Sequence, residues 1–407
     1  MIVSSFVAAA LLLLPSAPAS SATGPRPVEP VPPPVAVRAD PALLHRAGTQ
    51  ARVPRTVAAP PRLSARSWLV ADAATGDVLA ARDAHRRLPP ASTLKTLFAL
   101  ATLPGLPAER QHTVSEHELR GIGDGSSLVG VREEVTYRVA DLWRGVFLSS
   151  GNDAVRVLAG LNGGWDATIR KMQATARSLG AHDTRVVSPD GYDAPGQVSS
   201  AYDLAVFGRA GLRNPDFARY AATPYAQFPA GRWSFGIRNT NRLLTGADGV
   251  RRYPGLLGVK NGYTTHAGHT LIAAARKGSR TLVVSVMNPR QGGAYAVYEE
   301  ARSLLDWGFA AAPHARPVGS LLPPRAALPA RAAAAPQPAR SPRSPAAAPP
   351  GRPAPGAPPT DAVSVATLPT GGDGGSGDGS LLLPATFVGS AFLAAGALWW
   401  VRRRSTR

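Results

Sequence analysis

The sequence predicts an α+β domain over residues 64–312, on three observations. Short apolar, β-branched runs open and close this segment, at 67–82 and 269–287. Between them lie runs with apolar residues at helical spacing, and a further helical run follows the second pair. Strands at both ends with helices between them suggest one sheet that joins the two termini of the domain.

In chain order, residues 67–73 and 78–82 read as two strands joined by Thr75-Gly76-Asp77, a hairpin signal. Residues 91–101 form an apolar helical run preceded by Pro89 and Pro90, where proline is tolerated. Residues 138–159 and 165–179 alternate faces at helical spacing. Residues 269–276 and 280–287 are strands split by Lys277-Gly278-Ser279, a second hairpin. Residues 294–309 close the domain as a helix.

The flanks read differently. Residues 7–14 are an apolar core followed by Pro15 and small residues, which marks 1–22 as a secretory signal peptide, although no Lys or Arg precedes it. Residues 23–63 are a proline-rich lead-in, and 313–380 a Pro/Ala/Gly-rich linker that cannot bury a core. Residues 381–401 carry no charge; at about 1.5 Å per residue they are long enough to span a hydrocarbon core. Arg402, Arg403 and Arg404 follow at once, so 402–407 is expected to be a cytoplasmic tail. The expectation is an exported domain on a single C-terminal membrane anchor. Leu368-Pro369-Thr370-Gly371 and Leu383-Pro384-Ala385-Thr386 are imperfect matches to a sortase signal, which leaves wall attachment as the other reading.

Composition excludes several classes. With no cysteine, a disulfide scaffold, cysteine-ligated zinc, an iron–sulfur cluster and a thiol nucleophile are all ruled out. The formal charge of +19 invites a nucleic-acid partner, but no basic run with interleaved aromatics supports one. Only four of the 45 basic residues are lysines: Lys95, Lys171, Lys260 and Lys277. Such a bias resembles that of a GC-rich genome, and it draws attention to every lysine that remains. His266 and His269 are three apart, but lack a third ligand in a recognisable pattern. Neither a metal nor a cofactor is expected.

Two of the four lysines fall in motifs that carry chemistry. Ser92 and Lys95, three apart on a helix, share a face, so the amine can reach the hydroxyl. A serine needs a base to become a nucleophile, and a lysine serves only if burial or a second cation depresses its pKa. Ser150-Gly151-Asn152 is the sole Ser-x-Asn of the chain and lies at a break between helical segments. Its hydroxyl can relay a proton, and its amide can bind both a lysine and a substrate carbonyl. Lys260-Asn261-Gly262 precedes the apolar strand run; Lys260 can bind a carboxylate and hold down the pKa of Lys95, while Gly262 admits substrate backbone.

Taken in order, Ser-x-x-Lys, Ser-x-Asn and Lys-x-Gly resemble the motifs of the serine-type D-alanyl-D-alanine carboxypeptidases, the low-molecular-mass penicillin-binding proteins, in an actinobacterial-like form. The resemblance extends over about 67–309 and includes PPASTLKT, LSSGNDAV, SPDGYDAPGQVSSAYDLA, LLGVKNGYTTHAGHTL and LLDWGF. It implies the penicillin-binding protein/β-lactamase-like fold, an antiparallel sheet flanked by helices. It also implies that Ser92 is acylated by a peptidoglycan stem peptide ending in D-Ala-D-Ala, with Lys95 as base and Ser150 passing the proton. Asn152, Lys260, Asn261 and Gly262 would then bind substrate, the amides of Ser92 and Tyr263 would form the oxyanion hole, and β-lactams would acylate the same serine.

One position departs from the family: Asn261 stands where the pattern has Thr, which implies weaker recognition of a carboxylate. Two other readings share these residues. A penicillin-binding receptor without turnover would fit Asn261. A serine β-lactamase would need a glutamate-held water, yet no Glu occurs between Val135 and Tyr298.

Overall fold

The computed structural model describes residues 41–323. The expected signal peptide, the membrane span, the basic tail and most of the linker lie outside the described residues. No helix among the described residues is long and apolar enough to cross a membrane.

The chain enters through β1 (Thr49–Ala51), then β2 (Ser67–Asp72) and β3 (Asp77–Arg82), the hairpin expected from Thr75-Gly76-Asp77. A 3₁₀ turn over Ala91–Leu94 leads into α1 (Lys95–Thr102). The two-stranded pair β4 (Gln111–Thr113) and β5 (Thr136–Arg138) brackets a long loop. Helices follow: α2 (Val139–Leu148), α3 (Asn152–Leu161), α4 (Trp165–Ser178), α5 (Ala201–Leu212) and α6 (Pro215–Ala222). Side chains fix two of their starts: Ser200 accepts the amide of Asp203 at α5, and Asn214 accepts those of Asp216 and Phe217 at α6. A second small hairpin, β6 (Tyr225–Pro229) and β7 (Ser234–Arg238), is followed by α7 (Arg242–Thr245). The chain closes with β8 (Leu256–Thr264), β9 (Gly268–Lys277), β10 (Arg280–Met287), α8 (Ala296–Ala311) and β11 (Gly319–Ser320).

The main sheet is antiparallel in the order β1-β3-β2-β10-β9-β8, with β11 paired to β3 beside β1. The two ends of the described domain therefore meet in one sheet, as the strand runs predict. The domain, however, reaches further than 64–312. β1 lies in the supposed lead-in and pairs Thr49 with Arg82, while β11 lies in the supposed linker and pairs Gly319 with Val78. Val318 and Leu321 are buried there. Strands of three and two residues carry no period, so only the sheet reveals them.

Alternation along the strands divides the core in two. Val70, Leu271, Val284 and Val286 face α8, against Val297, Leu304 and Leu305. Leu69, Ile272 and Val283 face the other way, into the helical half with Leu97, Phe98 and Phe207. Burying each such side chain stabilises the fold by about 1.5–3 kcal/mol. This packing seats α1 against the sheet and leaves the edge strand β8 open to the helical half.

Candidate active site

Ser92 lies on the 3₁₀ turn rather than on the α-helix proper. Ala91 enters the turn at φ +49°, and the carbonyl of Pro90 is held by the hydroxyls of Thr93 and Thr270. In 3₁₀ geometry residues i and i+3 eclipse, so Lys95 stands directly over Ser92. Its Nζ donates to Ser92 Oγ at 2.8 Å, to Asn152 Oδ1 at 2.7 Å and to the carbonyl of Asp190. These three acceptors match the three protons of an ammonium. Lys95 is 1% exposed. Burial draws its pKa from 10.5 down to about 8, against the opposing pull of Asp190 and Asp153.

The second motif occupies the break between α2 and α3. Ser150 is held at φ +59°, a left-handed conformation rare for a side-chain-bearing residue, and its buried hydroxyl has no hydrogen-bond partner among the described residues. Asn152 opens α3. Its Nδ2 donates to Ser126 Oγ at 3.0 Å and its backbone amide to the carbonyl of Ser127 at 2.8 Å. Next to it, the Asp153 carboxylate accepts the amides of Val129, Gly130 and Val131, pinning the loop that carries Ser126. The amide of Asn152 is thereby oriented with its oxygen toward Lys95.

The third motif lies within β8, at the sheet edge. Lys260 is 1% exposed, and its amine donates to the carbonyl of Asn261 at 2.9 Å. Burial, followed by the nearby charge of Lys95, pushes its pKa well below the ordinary value. The sequence reading expects Lys260 to depress Lys95. In the structure burial is the main cause at both lysines, and the repulsion between the two amines acts on the pair. At Gly262 a Cβ would lie 2.6 Å from the amide nitrogen of Ser92 and 2.8 Å from Thr270 Oγ1, so only glycine lets β8 close on the serine turn. The Tyr263 side chain is exposed and packs against His269, ring centroids 4.6 Å apart. Asn261 Oδ1 accepts the hydroxyl of Thr240 at 2.9 Å.

Ser92, Lys95, Asn152 and Ser126 are thus linked by hydrogen bonds, and Gly262 abuts the serine turn. Ser150 stands two residues before Asn152, and Lys260 is near enough for Lys95's charge to act on it. Three contributors escape the motif reading. Asp190 lies in the SPDGYD segment, whose resemblance was legible although its carbonyl's role was not. Ser126 and Thr240 carry no motif or spacing signal.

A buried lysine bonded to a serine hydroxyl, set between a helical half and the edge of an antiparallel sheet, defines a serine acyl-transfer site. A profile described as D-alanyl-D-alanine carboxypeptidase, peptidase S11, matches residues 54–291, and the chain belongs to that family. It is 41% identical over 261 residues to D-alanyl-D-alanine carboxypeptidase DacB2 of Mycobacterium tuberculosis, covering 63% of this chain and 86% of that one. It is 35% identical to DacD of Escherichia coli, over 61% of this chain and 64% of that one. Among solved structures, a D-alanyl-D-alanine carboxypeptidase from M. tuberculosis superposes with a TM-score of 0.60 at 39% identity, covering 66% of this chain and 99% of that one. The Streptomyces K15 DD-transpeptidase gives 0.58 at 25% identity, covering 62% and 100%. The fold is that of the penicillin-binding DD-peptidases.

Proposed function

We propose that the protein is a serine D-Ala-D-Ala carboxypeptidase that removes the terminal D-alanine of peptidoglycan stem peptides through an acyl-enzyme on Ser92. The observation that carries this reading is the 2.8 Å contact between Ser92 Oγ and a buried lysine whose pKa is drawn to about 8. A penicillin receptor would need the same base for its acylation step, so turnover of the peptide is what separates the two readings.

The reaction follows from the placement of the groups. Lys95, neutral, takes the hydroxyl proton as Ser92 Oγ bonds to the carbonyl carbon of the penultimate D-alanine. The oxyanion is stabilised by the amides of Ser92 and Tyr263, which Gly262 brings together. The C–N bond then breaks, and the proton passes through the unpartnered hydroxyl of Ser150 to the leaving amine. Asn152 holds Lys95 and the substrate amide. Lys260 binds the terminal carboxylate, with Asn261 alongside. Water releases the acyl group by the reverse use of Lys95. β-Lactams acylate Ser92 by the same first step, their amine leaving group remaining tethered.

In this reading the protein is exported and held by residues 381–401 with Arg402 to Arg404 inside, so that the domain faces the wall. Incubation with diacyl-L-Lys-D-Ala-D-Ala tests the activity: D-alanine is released by the wild type and not by Ser92→Ala. Release that persisted in the variant would overturn the nucleophile. A stable adduct with penicillin and no turnover of the peptide would favour the receptor instead. Membrane fractionation with external protease tests the topology.

A further inference from the structure

A separate cavity, of about 470 Å³, opens where the start of β8, the end of β9 and α8 meet. Arg251, Arg252, Arg276, Lys277 and Arg302 line it. Its single carboxylate, Asp306, already accepts the hydroxyl of Tyr253 at 2.8 Å. Arg251, Arg252, Arg276 and Lys277 are exposed at its rim and form no ion pair among the described residues; Arg252 Nε donates to the carbonyl of Leu244 and Arg276 Nε to Thr281 Oγ1, each at 3.1 Å. Gathered around one concave space, these four positive charges raise the local potential and favour an anion there.

The frame is built rather than incidental. Arg302 is 9% exposed, and its guanidinium donates to the carbonyl of Arg251 while its charge lies 5.6 Å from the centre of the Tyr253 ring. The amide of Tyr253 donates to the carbonyl of Leu243 at 2.8 Å, and that of Arg276 to Gly255 at 2.9 Å. At Gly255, with φ +73°, a Cβ would stand 2.2 Å from the carbonyl oxygen of Arg276, so the loop crosses the end of β9 at the closest possible approach. Tyr253, Pro254 and Phe309 supply an apolar wall among the cations.

We infer that this cavity binds a phosphorylated sugar or polyol, its phosphate held by the arginines and its carbon face laid against Tyr253 and Phe309. Arginine matches phosphate oxygens two at a time, and the volume falls within the range of about 300–1,000 Å³ typical of small-ligand sites. The concavity suits a compact ligand better than a nucleic-acid duplex or a flat lipid surface. Gly255 lies five residues before Lys260 along the chain, which at about 3.3 Å per residue separates the two sites by on the order of 15 Å. Occupancy is therefore compatible with turnover at Ser92.

Calorimetric titration of the full chain with α-D-glucose 1-phosphate, inorganic phosphate and glucose tests the site. Saturable binding of glucose 1-phosphate is expected, about tenfold tighter than inorganic phosphate, with none for glucose. Arg251→Ser combined with Lys277→Ser lowers that affinity about tenfold or more, while D-alanine release stays unchanged and reports an intact fold. Absence of saturable binding overturns the proposal, as does binding that survives the double variant. Equal affinity for the two phosphates, or association with phosphatidylglycerol vesicles alone, also overturns it, because either result means simple charge attraction.

Discussion

The hydroxyl of Thr240, in the connection between β7 and α7, donates to the side-chain oxygen of Asn261 on β8 at 2.9 Å. Asn261 thus has its carbonyl oxygen engaged by the protein and presents its Nδ2, which has no partner among the described residues. The Thr of the family pattern would instead present a short hydroxyl able to donate to a carboxylate. A hydrogen bond to a charged group is worth about 1.5–3 kcal/mol, so a poorly placed donor costs roughly a factor of ten. Asn261→Thr is expected to raise the second-order rate of acylation by benzylpenicillin about three- to tenfold, with a parallel gain in kcat/KM for the tripeptide. If both constants are unchanged, Asn261 does not weaken carboxylate recognition.

The base at Ser92 sets a pH dependence with a definite sign. Lys95 is active when neutral, and its pKa lies at about 8. The single-turnover acylation rate therefore rises about tenfold per pH unit below that value and levels above it. Lys260 also loses charge as pH rises, but that affects substrate binding and enters KM rather than kcat. A profile of acylation that is flat from neutral to alkaline pH removes Lys95 as base. Lys95→Arg keeps the charge but cannot give up a proton, and should lower the rate by about a hundredfold or more.

Ser126 acts through Asn152. Its hydroxyl accepts Asn152 Nδ2 at 3.0 Å and so keeps the amide oxygen on Lys95. Ser126→Ala leaves the amide free to turn its nitrogen toward the ammonium, a repulsive arrangement. The expected result is a kcat lowered about three- to tenfold at unchanged thermal stability, with Ser126→Thr restoring it. A loss confined to KM, or no rescue by threonine, would mean that the loop serves only to shape the cleft.

How far the sequence reached depended on how local each relationship is. The Ser92–Lys95 contact spans three residues and follows from one turn of backbone, so it was legible once lysine was known to be rare in this chain. The sheet between the two hairpins was legible because β9 and β10 are long apolar runs. Ser126 meets Asn152 across 26 residues and Thr240 meets Asn261 across 21, through loops without period, and nothing in the sequence pairs them. Lys260 was recognised as a cation, yet its burial inside β8 comes from packing against the helical half. The coupling between the two amines is legible as a pairing of cations, whereas the burial that lowers both comes from tertiary packing.

Away from the cleft, Asp203 gives a test of the fold alone. It is fully buried in α5, accepts the Thr184 hydroxyl at 2.6 Å, and leaves Oδ1 without a hydrogen-bond partner. Burial is the main cause that raises its pKa from 3.8 to about 6, and neighbouring Asp183 adds to it. Asp183 itself is shifted down despite its burial, by hydrogen bonds from His85 and Ser200. With the folded pKa above the unfolded one, the native state holds the Asp203 proton more tightly. Stability from this group is present below pH 4 and is lost as pH rises through about 6, a change on the order of 3 kcal/mol. Asp203→Asn removes that titration while keeping the size of the side chain. The melting temperature of the variant minus that of the wild type should therefore grow by several degrees between pH 4 and pH 7, measured by circular dichroism. Parallel melting curves across that range would mean that Asp203 ionises in the folded protein as it does in the unfolded chain.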